Sequence, residues 1–189
     1  MGEAAGSGKT YLSADELLRD SWRLAALVRE SGWRPDCVVA LWRGGSAPGV
    51  AVHEFLKATG WNVRHMPLKC GSYVAIGESS GVVGFSLLDE TLATFRPGER
   101  ALVVDDVFDS GRTIEAVAAR MAAAGVEMRS ACVYWKPSRN VTRMRPDYWA
   151  KELGDGWIVF PHEMEGLAPD ELREKDPLLA ELAARAVRG

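Results

Sequence analysis

Apolar positions along this chain switch repeatedly between a helical and a strand-like spacing, and the switches predict an alternating series of elements. The first helix has Ser13 as N-cap, Glu16 three residues later as the other half of a capping box, and an apolar stripe of Leu17, Leu18, Leu24, Leu27 and Val28. Gly32 ends it, and Trp22 on the same helix is expected to pack rather than to bind. Asp36 to Leu41 reads as a core strand, followed by a glycine-rich loop and a helix through His53 and Phe55, with His53 expected on the helix surface. Asn62 to Leu68 is a second strand, and Phe85 to Phe95 includes a short helix. Ala101 to Val104 is an unbroken apolar run, the helical pattern after Thr113 ends near Gly125, and Met128 to Trp135 returns to strand spacing. A last helix starts at Pro169 and is interrupted near Pro177.

The run Ala101-Leu102-Val103-Val104 has no polar alternation, so it is expected to be covered on both faces, as central parallel strands are. The fold class that follows is α/β, a central parallel sheet flanked by helices, with a small C-terminal appendage. In such sheets ligands bind beyond the carboxyl ends of the strands, where Asp105 and Asp106 are expected. The next residues, Asp109-Ser110-Gly111-Arg112-Thr113, suit an anion. Gly111 can take positive φ, successive backbone N–H groups converge, the following helix presents its positive end, and two hydroxyls add donors. Two carboxylates would repel a phosphate, so Asp105 and Asp106 need another partner, and a vicinal diol meets that need. A ribose 5-phosphate satisfies both halves. The competing interpretation is a solvated acidic turn in which Asp109 only caps a helix.

Composition narrows the function classes. With 189 residues, 47% hydrophobic and 26% charged, the chain is of ordinary globular make-up. It lacks an apolar run of membrane-spanning length and a hydrophobic signal region, which leads to an expectation of a cytoplasmic protein with no membrane partner. Three widely spaced cysteines, Cys37, Cys70 and Cys132, suggest neither a disulfide framework nor a zinc site. The formal charge of -3 gives no general basic surface, so no nucleic acid is expected as partner. Residues Gly6 to Thr10, GSGKT, look like a nucleotide-binding loop, yet the full motif would need glycine where Glu3 stands. Residues 1–10 are therefore read as a flexible tail.

The stretch from Ala101 to Thr113, four apolar residues, two acids, two apolar residues and D-S-G-R-T, resembles the phosphoribosyl-diphosphate (PRPP) signature of type I phosphoribosyltransferases. The resemblance extends over residues 11–167, with a hood at about 145–167 and a C-terminal helix at 168–189. It implies that Asp105, Asp106 and Asp109 to Thr113 bind PRPP, and that Arg43 and Gly44 form the diphosphate loop, often built with a cis peptide in the family. A solvated arginine in a plain strand-to-helix turn is the alternative there. Ser72 and Tyr73 resemble the Ser-Tyr pair of a catalytic lid, although a surface connection would have the same composition. Lys136 matches the lysine that contacts a purine 6-oxo group, against the alternative of a solvated strand-end lysine, and Arg139 could reach the diphosphate. Trp157 matches a residue that stacks on the purine, Ile158 one whose backbone meets the base edge, and Glu163 an acid that helps Asp105 and Asp106 hold magnesium. Trp157 could instead be a core aromatic.

The resemblance implies a magnesium-dependent purine phosphoribosyltransferase of the hypoxanthine or xanthine-guanine type, transferring ribose 5-phosphate from PRPP to a 6-oxopurine in purine salvage, with Asp109 managing a proton of the base. Two alternatives keep the same fold: a non-catalytic PRPP or nucleotide sensor, and a pathway-specific enzyme for an unusual base. A homodimer is the expected assembly, as the commonest symmetric state.

Overall fold

The computed structural model describes residues 9–72, 83–85 and 88–187. They form two compact units, one of residues 15–155 and one combining residues 1–14 with 156–189.

The larger unit holds a six-stranded sheet. Its strands are β2 (Cys37–Trp42), β3 (Arg64–Ser72), β4 (Val83–Phe85), β5 (Arg100–Phe108), β6 (Glu127–Trp135) and β7 (Tyr148–Glu152), in the order β4-β3-β2-β5-β6-β7. Only the β3–β4 pair is antiparallel, so five strands form the parallel sheet expected from sequence. The helices are α1 (Ala14–Glu30), α2 (Ser46–Ala58), α3 (Leu88–Leu92) and α4 (Arg112–Ala123). Ala101, Leu102, Val103 and Val104 are all fully buried, as a strand covered on both faces requires. Ala101 and Val103 join Cys37, Val39 and Cys132 of neighbouring strands in a core with Ile114, Val117 and Met121 of α4. Burying those three α4 side chains stabilises the helix by roughly 1.5–3 kcal/mol each, and so fixes the helix start that carries the phosphate loop.

Helix α1 is joined to the far strands by a buried polar network. Asp20 is fully buried and accepts from the Tyr134 hydroxyl of β6 at 2.8 Å, from Lys151 Nζ of β7 at 2.7 Å and from Arg23 Nη1 at 2.5 Å. Burial alone would raise the Asp20 pKa, but hydrogen bonds from Lys151, Tyr134 and Arg23 outweigh it and the net direction is down.

The smaller unit pairs β1 (Lys9–Tyr11) in parallel with β8 (Trp157–Val159), and carries α5 (Pro169–Lys175) and α6 (Pro177–Ala186). Lys9 and Glu171 form an ion pair, and Lys175 Nζ donates to the carbonyl oxygens of Phe160, at 2.7 Å, and Glu163. Among the described residues, no helix is long and apolar enough to cross a membrane.

Several sequence expectations need correction. Lys9 and Thr10 belong to a strand rather than to a tail, because Thr10 pairs with Ile158. Residues Tyr148 to Glu152, assigned to the hood, are a strand of the main sheet instead. Leu18 and Leu27 are 41% and 42% exposed, since the buried face of α1 runs through Leu17, Leu24, Ala25 and Val28, and Trp22 is 45% exposed. His53 is buried: its ring lies 4.4 Å from that of His65, and its Nε2 is 3.2 Å from the Val63 carbonyl oxygen.

Candidate active site

The site grows from the carboxyl end of β5, which runs further than the apolar run suggested. Asp105 pairs with Cys132 and Phe108 with Trp135, so both acids lie inside the strand instead of beyond it. Asp109 to Gly111 then turn the chain into α4, with Gly111 at φ +80° as the residue before the helix. Only glycine takes that conformation cheaply, and the space beside it is also filled: a Cβ at Gly111 would lie 2.6 Å from Thr142 Oγ1 and 2.7 Å from Asn140 Oδ1. Those two residues brace the loop from below. Asn140 Oδ1 accepts from Thr142 N and Oγ1, both at 2.9 Å, and Val141 N donates to the Ser110 carbonyl at 3.1 Å. Asp105, Asp109, Ser110, Gly111 and Thr113 line a small cavity of about 80 Å³ together with Val107, Phe108 and Ile114. A larger, mostly apolar groove of about 250 Å³ lies between α2 and β3, against Trp42, Val50 and Pro67.

The strand-to-helix loop after β2 is pressed onto the acid pair. The peptide between Trp42 and Arg43 is cis, one bond earlier than the Arg43–Gly44 bond weighed from sequence. A Cβ at Gly44 would stand 2.2 Å from Asp106 Oδ2, and one at Gly45 would stand 2.3 Å from the Val104 carbonyl oxygen, so both positions demand glycine for close approach. Asp106 is 7% exposed and accepts from Val107 N at 2.7 Å through Oδ1. Asp105 accepts from Asp106 N at 3.0 Å and from Gly45 N–H. Burial, then the neighbouring Asp106 carboxylate, pushes the Asp105 pKa well up, against the pull of the two backbone N–H groups.

Asp109 is not a free cap. Its Oδ1 accepts from Arg139 Nε at 2.7 Å, and its Oδ2 stands 3.6 Å from Lys136 Nζ. Lys136 is only 5% exposed, which removes the solvated-lysine alternative, because a buried ammonium needs an anionic or polar partner. Its position is fixed by its own N–H, which donates to the Phe108 carbonyl at 3.0 Å. Arg139 lies on the short turn Pro137–Arg139, and the bond to Asp109 raises its pKa further.

In the smaller unit, Trp157 is 63% exposed, so it is no core aromatic, while Ile158 is buried at 7%. Glu163 Oε2 accepts from Phe160 N at 3.1 Å and closes the turn after β8, and the His162 ring stacks on Phe160 at 5.5 Å. Tyr73, expected from sequence in a lid, lies outside the described residues, and Ser72 is described only as the last backbone position of β3. Among the described residues, no group of three or more His, Cys, Asp or Glu side chains forms a metal cage. The adjacent carboxylates of Asp105 and Asp106 nevertheless suit magnesium, which takes oxygen donors, uses one or two carboxylates and relies on substrate phosphates for the rest. Their crowding, visible in the raised pKa of Asp105, is what a cation would relieve.

Sequence reasoning gave no role to Gly45, Asn140 or Thr142. Gly45 carried a signal in the repeated glycine after Arg43, whereas Asn140 and Thr142 sit in a stretch with no periodic pattern.

A parallel sheet carrying the D-S-G-R-T turn after one strand and a glycine loop after its neighbour is the arrangement of a type I phosphoribosyltransferase. Residues 7–167 match the phosphoribosyl transferase domain, and the chain belongs to that family. It is 30% identical over 172 residues to a xanthine-guanine phosphoribosyltransferase of Cereibacter sphaeroides, covering 82% of this chain and 86% of that one. Among solved structures it is similar to a purine phosphoribosyltransferase from Pyrococcus horikoshii, with a TM-score of 0.66 and 26% identity over 85% of this chain and 97% of the other. The xanthine-guanine-hypoxanthine phosphoribosyltransferase of Helicobacter pylori, at TM-score 0.63 and 22% identity over 80% and 92% of the two chains, shares the fold.

Proposed function

We propose that this protein transfers ribose 5-phosphate from PRPP to a ring nitrogen of a 6-oxopurine, with release of diphosphate. The observation that carries the proposal is the joining of a phosphate nest, Ser110 to Thr113, to a carboxylate, Asp109, paired with the buried Lys136. The relatedness to a xanthine-guanine phosphoribosyltransferase supports the same reading.

The 5-phosphate occupies the nest, where Ser110 to Thr113 N–H groups and the Ser110 and Thr113 hydroxyls donate to it, Arg112 opening the helix behind them. Backbone N–H groups at Arg43 and Gly44, with the Arg43 guanidinium, take the diphosphate. Departure of diphosphate leaves an oxocarbenium-like ribose, so the protein's work is orientation and neutralisation of charge more than covalent chemistry. Lys136 donates to the 6-oxo oxygen, and Asp109 accepts the proton of the attacking imidazole nitrogen. Trp157 has an exposed ring, and Ser72 with Tyr73 serves as the lid. Magnesium would be held by Asp105 and Asp106, and would supply charge neutralisation to the diphosphate. We further infer a homodimer, which sedimentation would check.

The test is diphosphate release from PRPP with hypoxanthine, guanine, xanthine and adenine in turn, with and without chelator. Turnover with at least one 6-oxopurine, abolished by chelator, is expected. Absence of turnover with every base, from protein that binds PRPP, would replace the enzyme with a PRPP sensor.

A further inference from the structure

The chain that follows β6 runs beside the turn from β5 into α4 and touches it residue by residue. Lys136 N–H donates to the Phe108 carbonyl at 3.0 Å, Arg139 Nε to Asp109 Oδ1 at 2.7 Å, and Val141 N–H to the Ser110 carbonyl at 3.1 Å. At Gly111 the contact is one of shape, since a Cβ there would meet Thr142 Oγ1 at 2.6 Å and Asn140 Oδ1 at 2.7 Å. The other side of the turn is open. Asp109, Ser110, Gly111 and Thr113 line the cavity of about 80 Å³, and Asn140, Val141 and Thr142 take no part in that lining.

The Val141 bond fixes more than the carbonyl it reaches. The peptide joining Ser110 to Gly111 is planar and trans, so its C=O and its N–H point in opposite directions. A carbonyl held toward Val141 therefore turns the Gly111 N–H away from that segment. Asn140 keeps Val141 in place: its Oδ1 accepts from Thr142 N and Thr142 Oγ1, both at 2.9 Å, and its Nδ2 donates to the Met144 carbonyl at 2.6 Å. One side-chain amide thus ties residues 140, 142 and 144 together, and the exposed Val141 side chain leaves only its main chain to meet the turn.

We propose that Asn140 is a positioning residue for phosphate binding: by holding Val141 N–H on the Ser110 carbonyl it directs the Gly111 N–H into the cavity, toward the 5-phosphate of PRPP. The proposal rests on the function proposed above and refines it. With a left-handed glycine at position 111, the peptide before it can rotate at small steric cost, and the rotated form would present a carbonyl oxygen to the anion in place of a donor. The brace removes that choice.

Three ligands separate this role from general support of the fold. PRPP and guanosine 5′-monophosphate carry a 5-phosphate, whereas inorganic diphosphate lacks it and belongs to the loop after β2. Binding of each is measured calorimetrically, in magnesium, for the parent, Asn140→Ala and Val141→Pro. Asn140→Ala removes the amide that orders the segment. Val141→Pro removes the N–H itself, and Asn140, at φ -66° and ψ 125°, already has the extended backbone that the residue before a proline requires. Both variants are expected to lose about 10-fold or more in affinity for PRPP and for the nucleotide, as loss of a hydrogen bond to a charged group implies, while affinity for diphosphate stays within about 3-fold.

Equal losses for all three ligands would mark a merely structural role and overturn the proposal. Parent-like affinity for PRPP and the nucleotide in either variant would overturn it too. If one of the two variants does not fold, Thr142→Val, which removes the hydroxyl held by Asn140 and keeps the side chain's shape, takes its place, with a loss of at least about 3-fold expected for PRPP and the nucleotide and none for diphosphate. A parent that binds neither PRPP nor the nucleotide marks instead a failure of the proposed function, on which this proposal rests.

Discussion

Substitution of Gly44 by alanine tests the contact between the loop after β2 and strand β5. The backbone at Gly44 is not left-handed, so alanine is not excluded by φ, and the cost is one of space alone. The new Cβ would stand 2.2 Å from Asp106 Oδ2, 2.4 Å from Cγ and 2.6 Å from Oδ1, all well inside van der Waals contact. Asp106 cannot swing away without cost, because it is 7% exposed and its Oδ1 accepts from Val107 N at 2.7 Å. Overpacking of this kind costs about 1–3 kcal/mol, and residues in direct contact couple by about 0.5–3 kcal/mol in a double-mutant cycle. The three nearest atoms all belong to the Asp106 carboxylate, so Asp106→Ala removes them. The assay is urea unfolding followed by tryptophan fluorescence on the parent, Gly44→Ala, Asp106→Ala and the double variant. The double variant is expected to be more stable than the sum of the singles by at least about 1 kcal/mol, with the slope against urea unchanged. Additivity within about 0.3–0.5 kcal/mol would refute the contact, and with it the close apposition of the loop after β2 to strand β5.

Three further outcomes are expected. Asp109→Asn should lower kcat by about 10²-fold or more with a smaller change in PRPP KM, measured in single turnovers, since the carboxylate acts on the proton and the backbone nest survives. Lys136→Ala should erase most of a preference for hypoxanthine over adenine that we expect to be at least about 10²-fold in kcat/KM, and a parent that uses adenine equally well would remove Lys136 from the base site. Asp20→Asn should reduce stability with a definite pH signature. The folded pKa of Asp20 is depressed below the unfolded value of about 3.9, so its contribution is present above about pH 4 and is lost as pH falls through the lower, folded pKa. The gap between parent and variant in chemical unfolding should be level from about pH 5 to 8 and shrink below about pH 4, and a gap that widened there would contradict the network.

The turn from β5 into α4 was legible because its residue types stand side by side in sequence: a glycine with positive φ, hydroxyls and a helix start, all within Asp109 to Thr113. The buried strand was legible for a similar reason, as four consecutive apolar residues cannot be a half-exposed strand. What escaped was long-range. Strand β1 has three residues and forms only because Lys9 meets Trp157, a pairing that no local pattern announces. The Asp20 network joins positions 114 and 131 residues apart, and an isolated Asp on a helix looks like a solvated one. Leu18 and Leu27 were misplaced because a helical stripe is broad, and its edge is decided by whichever strand it meets.

The pairing of Lys136 with Asp109 bears on how a base is chosen. Lys136 Nζ stands 3.6 Å from Asp109 Oδ2, and Arg139 holds the other carboxylate oxygen at 2.7 Å. An ammonium has three donors and no acceptor, so Lys136 can keep its ion pair and still direct a proton at an incoming oxygen. A 6-oxo group accepts that proton, and the 5% exposed lysine is solvated by the substrate in place of water. A 6-amino group presents hydrogens to the ammonium, and the lysine has no way to rotate out of conflict because donors are all it has. The same arrangement links recognition to chemistry. Under the proposed function, a base that satisfies Lys136 comes within reach of a carboxylate held by both Arg139 and Lys136, so the proposed proton acceptor does not have to be reorganised in the transition state.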